Sequence, residues 1–215
     1  LPFQGDPDYL RERTVEALGL LYAMHWPFRQ FETARDVRHS ALHDELEARG
    51  ACFGEVAGWE RPNWFAPGER RPEYAYSYGR QNWFGHSADE HRSVREAVGL
   101  FDQSSFAKLT VEGPDACRVL NHICANDVAV EPGTAVYTQW LNEAGGIEAD
   151  LTVTRLADDR YLVVSGAATP VRDLDWLRRH TPDGARVSLA DTTDSLAVLG
   201  VMGPNARELL CDLTT

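Results

Sequence analysis

Leu141-Asn142-Glu143-Ala144-Gly145-Gly146-Ile147-Glu148-Ala149-Asp150-Leu151-Thr152-Val153-Thr154 reads as a strand end, a Gly-Gly turn and a second strand carrying a carboxylate. Paired glycines supply the positive φ that a tight reversal needs. After the turn the residues alternate. Ile147, Ala149, Leu151 and Val153 are expected on one face, and Glu148, Asp150, Thr152 and Thr154 on the other. Asp150 then projects from a rigid strand, where a ligand-orienting carboxylate is best held. The same pattern also describes a carboxylate on a solvated hairpin face.

Outward from this hairpin the chain reads as mixed α and β. Helices are expected at 88–98, 114–124, 170–179 and from Pro204, with Pro114 and Pro170 as openers. Strands are expected near 100–103, 106–112, 133–141, 147–156, 160–166, 184–190 and 194–202. Upstream, 9–22 and 34–49 have helical rhythm, and Gly50 stands where a helix stops. Residues 58–85 hold Trp59, Trp64, Phe65, Tyr74, Tyr76, Tyr78, Trp83 and Phe84. So many large rings predict an ordered but mostly irregular segment that packs against something.

Composition excludes several classes. The net charge is −12, and Lys108 is the one lysine among 21 cationic residues. No basic stripe offsets the acidity, so nucleic acid is not an expected partner. Mean hydropathy is −0.37 and no 18-residue apolar run occurs, so no membrane span is expected. Cys52, Cys117, Cys124 and Cys211 lack CxxC spacing and fit reduced, buried thiols in a cytoplasmic protein. His39 and His43 lie four apart, but HExxH is absent and no third ligand is obvious, so no metal is expected. No GxGxxG follows a strand and no GxSxG is present.

The run Tyr137–Leu151 resembles the folate-binding core of the aminomethyltransferase (glycine-cleavage T-protein) family, whose pattern is N-E-x-G-G-I-x-D-D-L-x-V. The second Asp of that pattern falls on Asp150, and the first is Ala149 here. His91–Asp102, Phe106–Ala116 and Gly203–Leu210 resemble flanking elements of the same family. Arg35–His43, Gly50–Gly54 and Gly58–Phe65 resemble the middle region of sarcosine and dimethylglycine dehydrogenases or oxidases. The likeness spans roughly 5–215.

This resemblance implies an α+β fold. An aminomethyltransferase-like domain of largely antiparallel sheets with flanking helices, at 87–215, would follow a helical and irregular connecting region at 1–86. It implies tetrahydrofolate as ligand, with FAD in a flavin domain of the same polypeptide outside this chain. The implied activity is flavin-dependent N-demethylation of a small methylated amine, with capture of the one-carbon unit on folate. Asp150 would be catalytic. Tyr137, Asp150, Val164 and Gly166 would bind the cofactor. Tyr137 could stack on a pterin or pack in a core, and Gly166 could admit a ligand or simply end a strand. The fragment alone is expected to lack redox activity. The rival implications are a stand-alone folate-dependent transferase, a non-catalytic regulatory relative, and a structural segment with a vestigial pocket.

Overall fold

The computed structural model describes residues 2–69 and 72–214. Leu1 and Thr215, the ends of the two expected domains, and Arg70 and Arg71, within the aromatic segment, lie outside the described residues. By packing the chain forms two compact units, Leu1–Ser105 with Ala197–Thr215, and Phe106–Leu196.

The first unit opens with helix α1 (Pro7–Leu20). Asp6 caps it by accepting from the Asp8 and Tyr9 amides at 2.8 and 3.1 Å, and Pro7 fits the first turn, where no amide partner is needed. The expected helix forms, but it buries no side chain: Leu10, Val15 and Leu18 are exposed, as is Leu21 at its C-cap.

The expected helix over 34–49 shrinks to α2 (His43–Ala48). Ala34 and Asp36 sit at φ 49° and 61°, outside helical space. Arg38 instead spends its backbone on Gly58 and Glu60, through Arg38 N to Gly58 O and Glu60 N to Arg38 O, both 2.9 Å. That bridge to Trp59 competes with helix formation and wins locally. Gly50 does follow the helix with φ +82°. A Cβ there would lie 2.2 Å from the Ala66 carbonyl oxygen, so only glycine fits.

Part of the segment expected to be irregular is regular. β1 (Ala51–Val56) and β2 (Trp59–Phe65) form an antiparallel hairpin. Its two-residue turn, Ala57-Gly58, has positive φ at both positions, which matches the right-handed strand twist. Ala-Gly lacks the usual Asn-Gly signature, which is why the turn was not legible. Beyond it, Trp64 is buried with Cys52 and Ala66, and Tyr74 and Trp83 pack against them. Helix α3 (Phe84–Glu96) follows. β3 (Gly99–Asp102) pairs antiparallel with β9 (Leu199–Met202), and α6 (Ala206–Leu213) closes the unit. Gln103 N donates to Val198 O at 2.8 Å beside that pair.

The second unit is one five-stranded antiparallel sheet with two helices. Its strands are β4 (Ala107–Glu112), β5 (Ala135–Leu141), β6 (Ile147–Ala157), β7 (Arg160–Ser165) and β8 (Ser188–Asp191). Their spatial order is β5-β6-β7-β4-β8. Helix α4 (Ala116–Ile123) buries Ala116, Val119, Leu120 and Ile123, a spacing that lines one helix face. Helix α5 (Pro170–His180) buries Leu177. These meet Leu109, Val111, Trp140, Leu151, Val153, Tyr161 and Val163 in one core. Each such residue removes apolar surface from water, contributing about 1.5–3 kcal/mol when fully buried.

Two expected strands are shorter than read. Residues 184–187 are not strand, and Thr193–Ser195 is a single 3-10 turn. The loop after β5 is also longer than a Gly-Gly reversal. It runs from Asn142 to Gly146, and Asn142 organises it by accepting the Ala144 and Gly146 amides on Oδ1 at 3.1 and 2.8 Å. Gly145 alone of the pair has positive φ, +79°. No described helix is long and apolar enough to cross a membrane.

Candidate functional site

The alternation read from β6 places Ala149, Leu151 and Val153 in the core and leaves Asp150 exposed. Ile147 departs from it: it is exposed, at the hairpin end where the register shifts beside Trp140 and Leu141. The backbone register then extends the non-core face across four strands. Tyr137 pairs with Thr152, Thr152 with Val164, and Val164 with Lys108, so the four form one row. Gln139 pairs with Asp150 in the next row. Three of the four residues expected to bind a cofactor therefore share one sheet face: Tyr137, Asp150 and Val164.

Tyr137 is 60% exposed, which decides between its two readings: the ring is not core. The neighbouring Asp150 carboxylate, more than desolvation, holds its phenol above the ordinary pKa. Thr138, one residue on, points the other way and is fully buried. Glu148 accepts from Asn142 Nδ2 at 2.8 Å and so is tied to the hairpin loop.

Gly166 follows β7 at a turn. Its carbonyl accepts from Thr169 N at 3.1 Å. A Cβ at Gly166 would meet its nearest neighbour, Thr169 Oγ1, at an ordinary 3.5 Å. Sequence reasoning missed the group that fixes this turn. Asp173 is 1% exposed and accepts from Ser165 Oγ at 2.7 Å, Thr169 Oγ1 at 2.6 Å and Arg172 Nη2 at 3.0 Å. A Ser, a Thr and an Asp spaced four apart across a strand end were the available signal. Lys108 was also missed: it is fully buried at the far end of the Tyr137 row. A buried lysine is costly unless its charge is met, so its position, not its rarity, makes it notable.

The first unit has its own concavity, a cavity of about 870 Å³ lined by Gln30, Phe31, Arg35, His43, Tyr74 and Tyr76 among others. Glu60, 4% exposed, is its fixed anion. Arg35 Nε meets Glu60 Oε1 at 2.8 Å, and Arg35 Nη2 contacts Glu60 Oε2. Arg35 also donates to the Phe31 and Phe53 carbonyls at 3.0 and 3.2 Å. Burial works to raise the Glu60 pKa, but the Arg35 and Asp36 N–H bonds outweigh it and hold the carboxyl below its ordinary value. His39 and His43 do not share a helix, yet their rings stack at 3.7 Å with a 1° interplanar angle. Burial and then the neighbouring His39 push the His43 pKa down.

The four cysteines are free. Cys52 is buried and Cys124 nearly so, and burial pushes each thiol up to about 11. Cys211 is exposed, against expectation, on the open side of α6.

Comparison with known proteins gives these faces a context. The chain is 50% identical over 207 residues to 4-methylaminobutanoate oxidase (formaldehyde-forming) of Paenarthrobacter nicotinovorans, covering 96% of this chain and 25% of that protein. It is 32% identical over 209 residues to mitochondrial dimethylglycine dehydrogenase of Rattus norvegicus, covering 96% of this chain and 24% of that protein. The chain thus spans about a quarter of the length of these curated relatives. The crystal structure of glycine cleavage system aminomethyltransferase T from Bartonella henselae superposes with a TM-score of 0.65 at 28% identity, covering 82% of this chain and 44% of that one. Residues 1–40 match the central domain of FAD dependent oxidoreductases. Residues 42–215 match the GCVT N-terminal domain, and the chain belongs to that family.

Proposed function

We propose that this chain is the tetrahydrofolate-binding portion of a flavin-dependent N-demethylase of the sarcosine and dimethylglycine type. The carrying observation is the exposed Tyr137–Asp150 pair on a sheet whose other face is core. A reduced pterin offers a π-face and several N–H donors. An open aromatic ring beside a carboxylate suits both, so the residues fit the group. The oxidase and dehydrogenase relatives support the redox half of the reading.

Asp150, Tyr137, Val164 and Gly166 would hold the folate. Bound tetrahydrofolate supplies the nitrogen nucleophile for the one-carbon unit, and a flavin held elsewhere in the polypeptide supplies the two-electron acceptor. Asp150 orients that nitrogen and holds or accepts its proton on a carboxylate oxygen. Tyr137, beside Asp150, presents its ring as a platform. Val164 gives the row an apolar floor. In the division proposed, 1–86 connects to the flavin domain and 87–215 begins the folate domain. The amine substrate, the flavin domain as partner and a cytoplasmic setting belong to the same reading.

The test uses the full-length protein, wild type and Asp150→Asn. Equilibrium binding of tetrahydrofolate and the ratio of methylenetetrahydrofolate to formaldehyde are measured under saturating amine. Wild-type binding, with a lower ratio in the variant and unchanged flavin reduction, supports the reading. Absence of folate binding in the wild type turns it towards a regulatory or vestigial role.

A further inference from the structure

We propose that Asp36, His39 and His43 form a binding site for a divalent first-row transition ion, with Zn²⁺ as the reference metal. Asp36 and His39 come from the irregular segment leading into α2, and His43 is the first residue of that helix. Each residue offers one ligand atom, and the three atoms lie within 4.8 Å of one another. His39 Nε2 is already 3.2 Å from Asp36 Oδ1. Two imidazoles and one carboxylate make the mixed donor set that borderline ions such as zinc take.

The scaffold holds these donors from three sides. Asp36 has φ 61°, a conformation that side-chain-bearing residues rarely adopt. It is kept there by its amide, which donates to Glu60 Oε1 at 2.8 Å, while Arg35 grips the same carboxylate. Strain sustained by a buried ion pair is a common mark of a functional position. His43 is pressed between two rings, with Phe53 at 4.3 Å on one side and His39 at 3.7 Å on the other. Its Nδ1 is buried with no hydrogen-bond partner. An orphaned buried imidazole nitrogen is costly unless something satisfies it.

All three residues line the same cavity, so ligand positions not supplied by protein face a space of about 870 Å³. Asp44 and Glu47 line it as well and add negative potential towards a cation. With metal bonds of about 2.0–2.2 Å, tetrahedral ligand atoms sit about 3.4 Å apart, so the three side chains need to close by roughly 1 Å. Imidazole lone pairs lie in the ring plane, so His39 must also turn out of its parallel stack on His43 before both rings can aim at one ion; the exposed Asp36 and His39 side chains have the freedom for that rotation.

The test is Co²⁺ and Zn²⁺ binding by the full-length protein after chelator treatment. Cobalt reports its donors through visible ligand-field bands, and calorimetry with Zn²⁺ gives stoichiometry. One ion per chain is expected, with a spectrum lacking thiolate charge transfer. Asp36→Asn is the first variant, because Asn is nearly isosteric and tolerates positive φ. Affinity should fall by about ten- to a hundredfold, since even outer-shell losses reach that range. His39→Ala, at an exposed position, should remove the ligand-field spectrum. A melting temperature for each metal-free variant matching the wild type would tie these losses to the ligands. Three results would overturn the site: no stoichiometric ion in the wild type, thiolate bands that place the metal on cysteine, or unchanged affinity in both variants.

Discussion

Tyr137 and Asp150 stand on adjacent strands, on the diagonal of the pairs Tyr137–Thr152 and Gln139–Asp150. A neighbouring carboxylate favours the protonated phenol, and Asp150 raises the Tyr137 pKa above its ordinary value. Asp150→Asn should bring it back down. Site-specific ring labelling with NMR detection across the alkaline range measures this. A Tyr137 midpoint that does not move would mean the two groups are not coupled.

The same substitution carries the catalytic prediction. Asn keeps an acceptor but loses the charge that manages the folate proton. One-carbon capture should fall by about ten- to a thousandfold, the scale of a general acid–base group, while flavin reduction holds its rate. Free formaldehyde should rise in step, and the product ratio is the readout. An unchanged ratio in a folded variant returns Asp150 to a solvated sheet face.

Arg35 and Glu60 predict a stability effect of definite shape. Arg35→Ala leaves a buried carboxylate without its partner and should cost about 3 kcal/mol, at the lower end for buried pairs because Arg35 keeps a quarter of its side chain exposed. The double change Arg35→Met with Glu60→Leu should recover much of that loss. Urea denaturation of the full-length protein, followed by a probe in this unit, measures both. Equal losses in the single and double variants would mean that packing, not the uncompensated charge, sets the cost.

Glu16 predicts an acid response. Its carboxylate accepts from the Glu32 and Thr33 amides at 2.8 and 2.9 Å, and from the Thr33 hydroxyl. Partial burial acts to raise its pKa, but these bonds outweigh it and the net shift is downward. A depressed carboxyl contributes stability that is present above its unfolded value, about 4.3, and lost as pH falls through the lower folded value. Protection of the Thr33 amide from hydrogen exchange should therefore decline in acid, below about pH 4.3. In Glu16→Gln this pH dependence should disappear, and its persistence would assign the effect to another group.

Trp64 predicts that the aromatic stretch is a packed element. It is 3% exposed, meets Tyr74 edge-on at 6.0 Å and stacks near His86 at 5.5 Å. Trp64→Ala should cost about 3–5 kcal/mol. It should also open the stretch beyond β2 to protease. Wild-type-like resistance in the variant would count against this packing.

The sheet face was legible because strand side chains have a period of two, and a local pattern is enough to place Asp150 opposite Leu151. Lys108 and Asp173 were not legible. The first owes its place to register across β7, and the second to a turn drawn together by Ser165 and Thr169. The segment 34–42 misled because its apolar spacing is helical, while its backbone is claimed by Glu60 and Gly58. Positive φ at Ala34 has no signature in the residue itself, and at Asp36 only the weak one that aspartate tolerates the left-handed region. The histidine pair was visible, but its third donor lay three residues upstream in backbone that only tertiary contacts define.

The pairing of β3 with β9 has a practical meaning. The chain leaves for Phe106–Leu196 and comes back through one doorway, with Gln103 and Val198 joined by a single backbone hydrogen bond. The intervening segment has the layout of a cassette: near its ends Leu109 pairs with Asp191, β4 with β8, so little closure entropy is needed to bring them together. A host need offer only two neighbouring strand ends to receive it. New termini can be cut into an exposed loop of the cassette while the old ones are spliced.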